Sequence, residues 1–203
     1  MKPANVQHAV SVGESSRHHL QRGGSRMTTM EYLATPETAF PQELAYGVLH
    51  VAESPTARHQ AAVGDLYVAL REHAQTSGLG QVWLSPLDVI LNFDKHLVVQ
   101  PDLLFISNAR SHIVSDRVRG APDLVIEVLS PNLRVGKVID HLRWFAECGV
   151  PECWHVHQTQ RWVEVIRFGG GVIASRRRFH DDERIRSSVL PAFDRTLTSI
   201  IGY

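Results

Sequence analysis

The sequence predicts an α/β fold, a layered domain around one mixed sheet. Two features predict it. Helical and extended patterns follow one another in the order helix, three strands, helix, strand. The third of these strands, residues 124–129, is apolar at all but one position, which is typical of a strand covered on both faces. Helices packed on both sides of a mixed sheet would cover such a strand.

A hairpin and a long helix precede the three strands. Residues 44–53 alternate around Gly47, the pattern of two short strands joined by a tight turn. Residues 57–76 carry apolar side chains at helical spacing, and Gly78 and Gly80 end this helix. The hairpin and the helix are therefore expected to lead into the sheet.

Proline, glycine and polar residues separate the remaining elements. A second helix is predicted over residues 135–147, because Gly149 and Pro151 stop it. The glycine run that starts at Gly169 turns the chain into a short strand pair near the C-terminus. The predicted strands are residues 82–91, with a bend at Pro86, 97–106, 124–129, 153–157 and 162–168.

Residues 1–26 differ from the rest of the chain in composition. They are polar and glycine-rich, bury too little apolar surface to offset their ordering entropy, and are predicted to form a disordered tail. Residues 27–203 are predicted to form a single domain. The chain has 21 lysines and arginines and 21 aspartates and glutamates, so net charge neither indicates nor excludes binding to nucleic acid.

Hydropathy and cysteine content are those of an ordinary soluble protein. No stretch reaches the roughly 18 apolar residues of a membrane span, and the N-terminus lacks the apolar core of a secretory signal. We therefore expect a cytoplasmic protein without a membrane partner. Cys148 and Cys153 match no zinc-site spacing and are expected to be reduced thiols.

Two carboxylates stand where burial is costly. Asp102 follows Pro101 within the second predicted strand, and Glu127 has apolar residues on both sides. Burying an unpaired carboxylate is strongly unfavourable, whereas two acids on neighbouring strands can together bind a hard divalent cation. The simpler alternative is a carboxylate at a strand end in solvent, or one paired with a local arginine such as Arg119.

Several segments around these acids resemble one protein family. Residues 99–106, Val-Gln-Pro-Asp-Leu-Leu-Phe-Ile, resemble the PD motif strand of the Uma2 family, also called DUF820. Residues 120–131, Gly-Ala-Pro-Asp-Leu-Val-Ile-Glu-Val-Leu-Ser-Pro, resemble its most distinctive stretch, and Gly-Val-Pro-Glu at 149–152 resembles the segment after its second helix. The family is similar to PD-(D/E)XK restriction-type endonucleases. The resemblance implies a restriction-endonuclease-like αβββαβ core and a nuclease site that uses Mg²⁺ or Mn²⁺.

The resemblance also implies roles for particular residues. Asp102 corresponds to the PD aspartate and Glu127 to the second metal ligand. The family's usual lysine on the following helix is replaced by His141, and Lys137 stands one helical turn earlier, where the family usually has an aspartate. Lys137 or His141 could then assist catalysis, although the two exchanges could also mean that activity is lost.

Other candidates are less sharply defined. The resemblance raises His59 to a site contact, although a histidine at a helix start is often only a local cap or a solvated residue. Glu43 could approach the metal or equally only flank a turn, and Asp88 is a reserve ligand because it is an acid in an apolar strand. His155 and His157 share a strand face and could line, together with His141, a site for a softer metal, but packing or surface positions are the simpler interpretation. Residues 176–178, three arginines, could contact a nucleic-acid backbone or simply keep a strand edge solvated.

Three hypotheses about function follow from the sequence. The first is a metal-dependent endonuclease that hydrolyses DNA phosphodiester bonds, with homodimerisation expected from the dyad symmetry of duplex DNA. The second is a catalytically inactive nuclease-fold protein that binds nucleic acid or a protein partner, which the exchanges at positions 137 and 141 favour. A hydrolase acting on another phosphate ester through the same acids is a weaker third alternative.

Overall fold

The computed structural model describes residues 26–36, 40–129 and 135–201, with no side-chain description for residues 135 and 136. The predicted tail therefore lies almost wholly outside the described residues. The helices are α1 (Thr29–Leu33), α2 (Ala57–Thr76), α3 (Val135–Cys148) and α4 (Leu197–Ile200), with a 3-10 helix at Asn108–Ile113. The strands are β1 (Gln42–Ala45), β2 (Val48–Val51), β3 (Gly80–Leu84), β4 (Val89–Asn92), β5 (Leu97–Val99), β6 (Leu103–Ser107), β7 (Val118–Arg119), β8 (Leu124–Leu129), β9 (Glu152–His157), β10 (Trp162–Gly169) and β11 (Val172–His180).

The strands form two mixed sheets, where the sequence predicted one. The larger, which we call the main sheet, has the order β11-β10-β9-β8-β6-β3, and only β8 and β9 run parallel. The smaller, the N-terminal sheet, has the order β2-β1-β5-β4-β7. The elements α2, β3, β6, β8, α3 and β9 supply the predicted αβββαβ core, and β1–β2 is the predicted hairpin.

The division into two sheets corrects two predicted strands. Residues 82–91 divide between β3 in the main sheet and β4 in the N-terminal sheet, and residues 97–106 divide between β5 and β6 in the same way. Each break contains a proline, Pro86 or Pro101, which has no backbone N–H to donate to a ladder. The chain thus leaves one sheet at each proline and enters the other.

The C-terminal region also differs from the prediction. The chain after the glycine turn forms one nine-residue strand, β11, that pairs with β10 along its whole length. The short helix α4 follows near the C-terminus. A β10–β11 hairpin therefore extends the main sheet, in place of a separate strand pair.

The two long helices pack on opposite faces of the main sheet. Strand β8 alternates, so that Ile126 faces the cluster containing α2 and Val125 faces the cluster containing α3. Leu66 of α2 and Phe145 of α3 are fully buried. Burying each such side chain stabilises the fold by about 1.5–3 kcal/mol. Because Val125 and Glu127 share a face of β8, Glu127 lies on the α3 side of the sheet.

Candidate functional site

Asp102 and Glu127 face each other across neighbouring strands. Strands β6 and β8 are antiparallel with Leu103 opposite Ile126, so the next pair in the same register is Asp102 and Glu127. The Val128 backbone N–H donates to Asp102 Oδ2 at 2.7 Å, which holds the aspartate against β8. The exposed side-chain fractions are 22% for Asp102 and 18% for Glu127, so both side chains are largely but not fully buried.

His59 holds Asp102 from the side of α2. The Thr56 hydroxyl caps α2 by accepting from the His59 backbone N–H at 3.2 Å, which fixes His59 in the first helical turn. His59 Nε2 lies 3.2 Å from Asp102 Oδ2 and 3.0 Å from the Val128 carbonyl oxygen. The hydrogen bond to Asp102 raises the pKa of His59. His59 is therefore placed to orient the aspartate.

His141 bridges two carboxylates on the opposite side of the pair. Its Nδ1 lies 3.2 Å from Glu127 Oε1 and its Nε2 lies 3.3 Å from Glu43 Oε2. Lys137, one helical turn earlier on α3, reaches the same Glu43 oxygen at 2.9 Å. His141 thus contacts Glu127 itself, while Lys137, which is half exposed, contacts only Glu43 at the outer edge of the group.

Burial and charge shift the proton affinities of this group. Burial alone would raise the pKa of Glu43, but hydrogen bonds and charges from His141 and Lys137 lower it to about 2. Burial opposes protonation of His141, yet its bonds to Glu127 and Glu43 raise its pKa to about 9. Burial raises the pKa of Glu127, and the neighbouring acids Asp102 and Glu43 add to that effect. A cation at Glu127 would relieve this repulsion.

The carboxylate oxygens of Asp102 and Glu127 are suitable ligands for a hard, hydrated cation. Asp102 uses only Oδ2 and Glu127 only Oε1 in hydrogen bonds, so among the described residues Asp102 Oδ1 and Glu127 Oε2 have no partner. Within the same residues, no group of three or more His, Cys, Asp or Glu side chains is arranged to hold a metal ion, so an ion here would rest on the two carboxylates and on water. Mg²⁺ commonly takes one or two carboxylates and keeps several waters, so the pair fits this class of ion.

Asp88 lies in a separate network beside the site. Its Oδ1 accepts from Tyr32 Oη at 2.9 Å and Gln100 Nε2 at 2.8 Å, and its Oδ2 accepts from Arg117 Nε at 2.9 Å. The Gln100 backbone N–H in turn lies 3.4 Å from Glu43 Oε1. Asp88 is thus fully engaged in holding the loop that carries Gln100, and the geometry does not favour it as a ligand.

The two strand histidines have different surroundings. His155 lies on β9 directly beside Glu127 on β8, buried to 4% exposure. Burial, Arg176 and His141 lower its pKa to about 4. His157 instead accepts from the Gln160 backbone N–H in the β9–β10 turn. Only His155 therefore borders the acids.

Sequence reasoning missed one connection at the candidate site and one buried network outside it. Gln100 links Glu43 to Asp88, and its only sequence signal is its place immediately before Pro101 in the PD segment. Glu152 is fully buried and accepts from Trp154, Ser187 and Ser188, so it ties β9 to the C-terminal segment. Arg119, proposed as a simple partner for an acid, binds Asp116 instead.

Comparison with known proteins identifies the family. The model of the Uma2 family, described as "Putative restriction endonuclease", matches residues 29–198. The chain belongs to the Uma2 family. A crystal structure described as a "putative nuclease belonging to DUF820", from Anabaena variabilis ATCC 29413, superposes with a TM-score of 0.73 at 18% identity. The match covers 87% of this chain and 98% of the Anabaena chain.

That structural likeness confirms the fold predicted for the Uma2 chain. No curated protein matches the sequence. Within the described residues, no helix is long and apolar enough to cross a membrane. Cys148 is half-buried and Cys153 is buried, and neither forms a disulfide within the described residues.

Proposed function

We propose that this chain is a metal-dependent endonuclease that hydrolyses phosphodiester bonds in DNA. One observation carries the proposal: Asp102 and Glu127 face each other at a strand end, and each presents a carboxylate oxygen without a hydrogen-bond partner among the described residues. The family's description and the nuclease-like fold support the same reaction class.

Asp102 and Glu127 would hold Mg²⁺ or Mn²⁺. When bound, the ion would supply Lewis-acid stabilisation of a phosphate oxygen and would make a bound water more acidic. The protein contributes a fixed position for the acids, because Val128 N–H and His59 Nε2 both hold Asp102 Oδ2. Such preorganisation matters, since a misplaced ligand weakens both ion binding and orientation of the phosphate.

His141 and Lys137 supply positive charge next to the carboxylate pair. Both lie on one face of α3, and Glu43 holds both side chains through the same oxygen. A protonated imidazole beside Glu127 can stabilise the negative charge that develops on the phosphate during attack. His141 would therefore take the place of the lysine usual in the family, with Lys137 adding charge at the rim.

The same contacts favour one alternative function. His141 already neutralises Glu127 and Glu43 internally, which lowers the negative charge available to an incoming cation. A protein that binds nucleic acid or a protein partner without cutting would tolerate this arrangement. Homodimerisation and a cytoplasmic location remain predictions from the sequence.

Plasmid nicking tests the proposal directly. Supercoiled DNA would be incubated with wild type and Glu127→Gln in Mg²⁺, in Mn²⁺ and in EDTA, with an RNA and a phosphomonoester as alternative substrates. The matched control is Asp123→Asn, because Asp123 is equally sheltered but pairs with Arg110 away from the site. We expect wild type and the control to nick DNA only with metal, and Glu127→Gln to be inactive. If wild type nicks DNA in neither metal, the proposed nuclease fails and the alternative, a protein that binds without cutting, is left.

A further inference from the structure

A row of polar residues crosses the main sheet from Glu127 to its open edge. Glu127 lies beside His155, His155 beside Glu164, and Glu164 beside Arg178 in the registers of four neighbouring strands. Residues paired in this way point to the same face of a sheet. The site carboxylate and the edge arginine are therefore on one face, the face that also carries α3.

Two arginines at this edge share a single carboxylate. Arg178 Nε lies 3.0 Å from Glu164 Oε1, and Arg176 Nη1 lies 3.6 Å from Glu164 Oε2. Glu164 is nearly buried, whereas 44% of the Arg176 side chain and 52% of the Arg178 side chain are exposed. One buried charge against two exposed guanidinium groups leaves a net positive edge.

The arginines are also held in place. The guanidinium of Arg178 stacks over the Trp162 ring at 4.3 Å from its centroid. A guanidinium fixed by a carboxylate and an aromatic ring keeps its remaining N–H groups directed outward, which suits a phosphate group better than a free lysine would. Arg177 alternates to the other face, where it lies over the Phe179 ring.

From these contacts we propose that Arg176 and Arg178 bind the phosphate backbone of a nucleic acid whose reacting bond lies at Asp102 and Glu127. This inference rests on the proposed function, and it adds the part of the substrate that the chain recognises. Strands in a sheet lie about 4.8 Å apart, so three spacings separate β11 from β8 by about 14 Å. The preferred substrate is then a strand that extends several nucleotides beyond the bond that is cut.

Salt-dependent DNA binding tests the inference, because each phosphate contact adds to the salt dependence. Fluorescence anisotropy would follow a labelled DNA duplex of two helical turns, in EDTA, with full-length wild type, Arg176→Gln/Arg178→Gln and Arg177→Gln. We expect the double variant to bind roughly tenfold more weakly, with a salt slope lower by about 1.8, at about 0.9 for each phosphate contact. Arg177→Gln should match wild type, because its side chain lies on the other face.

A further variant guards against a folding defect. The double variant leaves the buried Glu164 carboxylate without its two arginine partners. A triple variant, Arg176→Gln/Arg178→Gln/Glu164→Gln, removes this carboxylate as well. Thermal unfolding then checks that each protein is folded. The inference is overturned if wild type shows no salt-dependent binding, if the three arginines contribute alike, or if both multiple variants bind as wild type.

Cleavage assays separate this inference from the proposed function. If the multiple variants nick plasmid poorly but hydrolyse bis(p-nitrophenyl) phosphate like wild type, the arginine edge recognises the extended strand. If the arginine variants lose DNA affinity but no protein nicks DNA, the interface stands and the nuclease proposal fails. If wild type nicks DNA and the variants nick and bind equally well, the nuclease proposal stands and the interface fails.

Discussion

Replacing His141 by leucine removes the cation between Glu127 and Glu43, and the cost can be estimated from the structure. The bonds to Glu127 and Glu43 raise the pKa of His141 from 6.5 to about 9, and each tenfold change in proton affinity corresponds to about 1.36 kcal/mol. We therefore expect the free energy of unfolding to fall by about 3 kcal/mol. Removing one partner of a buried ion pair costs a similar amount, about 3–5 kcal/mol. His141 is only 7% exposed, so solvent screening is small.

Urea denaturation in EDTA at neutral pH measures this loss. Trp144, whose ring centroid lies 5.1 Å from that of His141, gives a local fluorescence signal. In a domain of this size the melting temperature should fall by about 6–12 °C. His112→Leu, at an exposed position, is the control and should change stability by less than about 0.5 kcal/mol. Saturating Mg²⁺ should narrow the gap, because a bound cation can take over the neutralising role.

The pH dependence has a defined sign. The folded-state pKa of His141 lies above its unfolded value, so its stabilising contribution is complete below about pH 6.5 and is lost as pH rises towards 9. Wild-type stability should therefore decline over this window more steeply than that of His141→Leu. A loss below about 1 kcal/mol at neutral pH, or equal pH profiles for the two proteins, would refute the bridging role.

Three further predictions concern stability. Glu152→Gln should cost about 2–4 kcal/mol, because the fully buried carboxylate accepts charge-assisted bonds from Trp154 and from the C-terminal segment. The pKa of His155 is lowered to about 4 in the folded protein, so the unfolded chain takes up a proton at higher pH than the folded chain does. The free energy of unfolding of wild type should therefore fall by about 3 kcal/mol as the pH drops from 6.5 to 4, and that of His155→Val should fall by less. Gly80→Ala should cost about 1–3 kcal/mol, because its Cβ would overlap the Ile106 carbonyl oxygen.

Urea denaturation again supplies the measurement, with a control for each substitution. Glu72→Gln removes only an exposed ion pair with Arg195 and should change the free energy of unfolding by less than about 0.5 kcal/mol. An equally small change for Glu152→Gln would contradict a stabilising role of the buried Glu152 network. Gly64→Ala, in open space on α2, should be neutral or stabilising, and an equal result for Gly80→Ala would contradict the overlap. Parallel acid profiles for wild type and His155→Val would contradict the neutral buried imidazole.

Local sequence pattern predicted the elements well but not their assignment to sheets. Strand β8 and helix α2 follow the predicted bounds because β8 is apolar except at Glu127 and α2 is amphipathic and capped by Thr56. The split of residues 82–91 and 97–106 between two sheets depends on hydrogen bonds to distant strands, which a local apolar run does not encode. Prolines marked the breaks, but a bend and a change of sheet have the same sequence signature.

The acids of the candidate site stand out in the sequence, whereas the contacts that connect them to other residues do not. Glu127 stood out because a carboxylate interrupts an apolar strand, and Asp102 lies opposite it as neighbouring strands require. The contact of His141 with Glu43 joins residues 98 positions apart, so no local pattern reveals it. The resemblance to the Uma2 family brought Glu43 and His59 into consideration, and the structure places both on the predicted group.

Calorimetric titration of Mg²⁺ and Mn²⁺ tests most directly whether Asp102 and Glu127 form a cation site. Wild type, Asp102→Asn, Glu127→Gln and the control Asp123→Asn would each be titrated as full-length chains. We predict that wild type and Asp123→Asn bind the ions at millimolar concentration or below, and that Asp102→Asn and Glu127→Gln lose this binding. Binding that survives in both site variants, or is absent from wild type, would contradict the metal site on which the proposed nuclease depends.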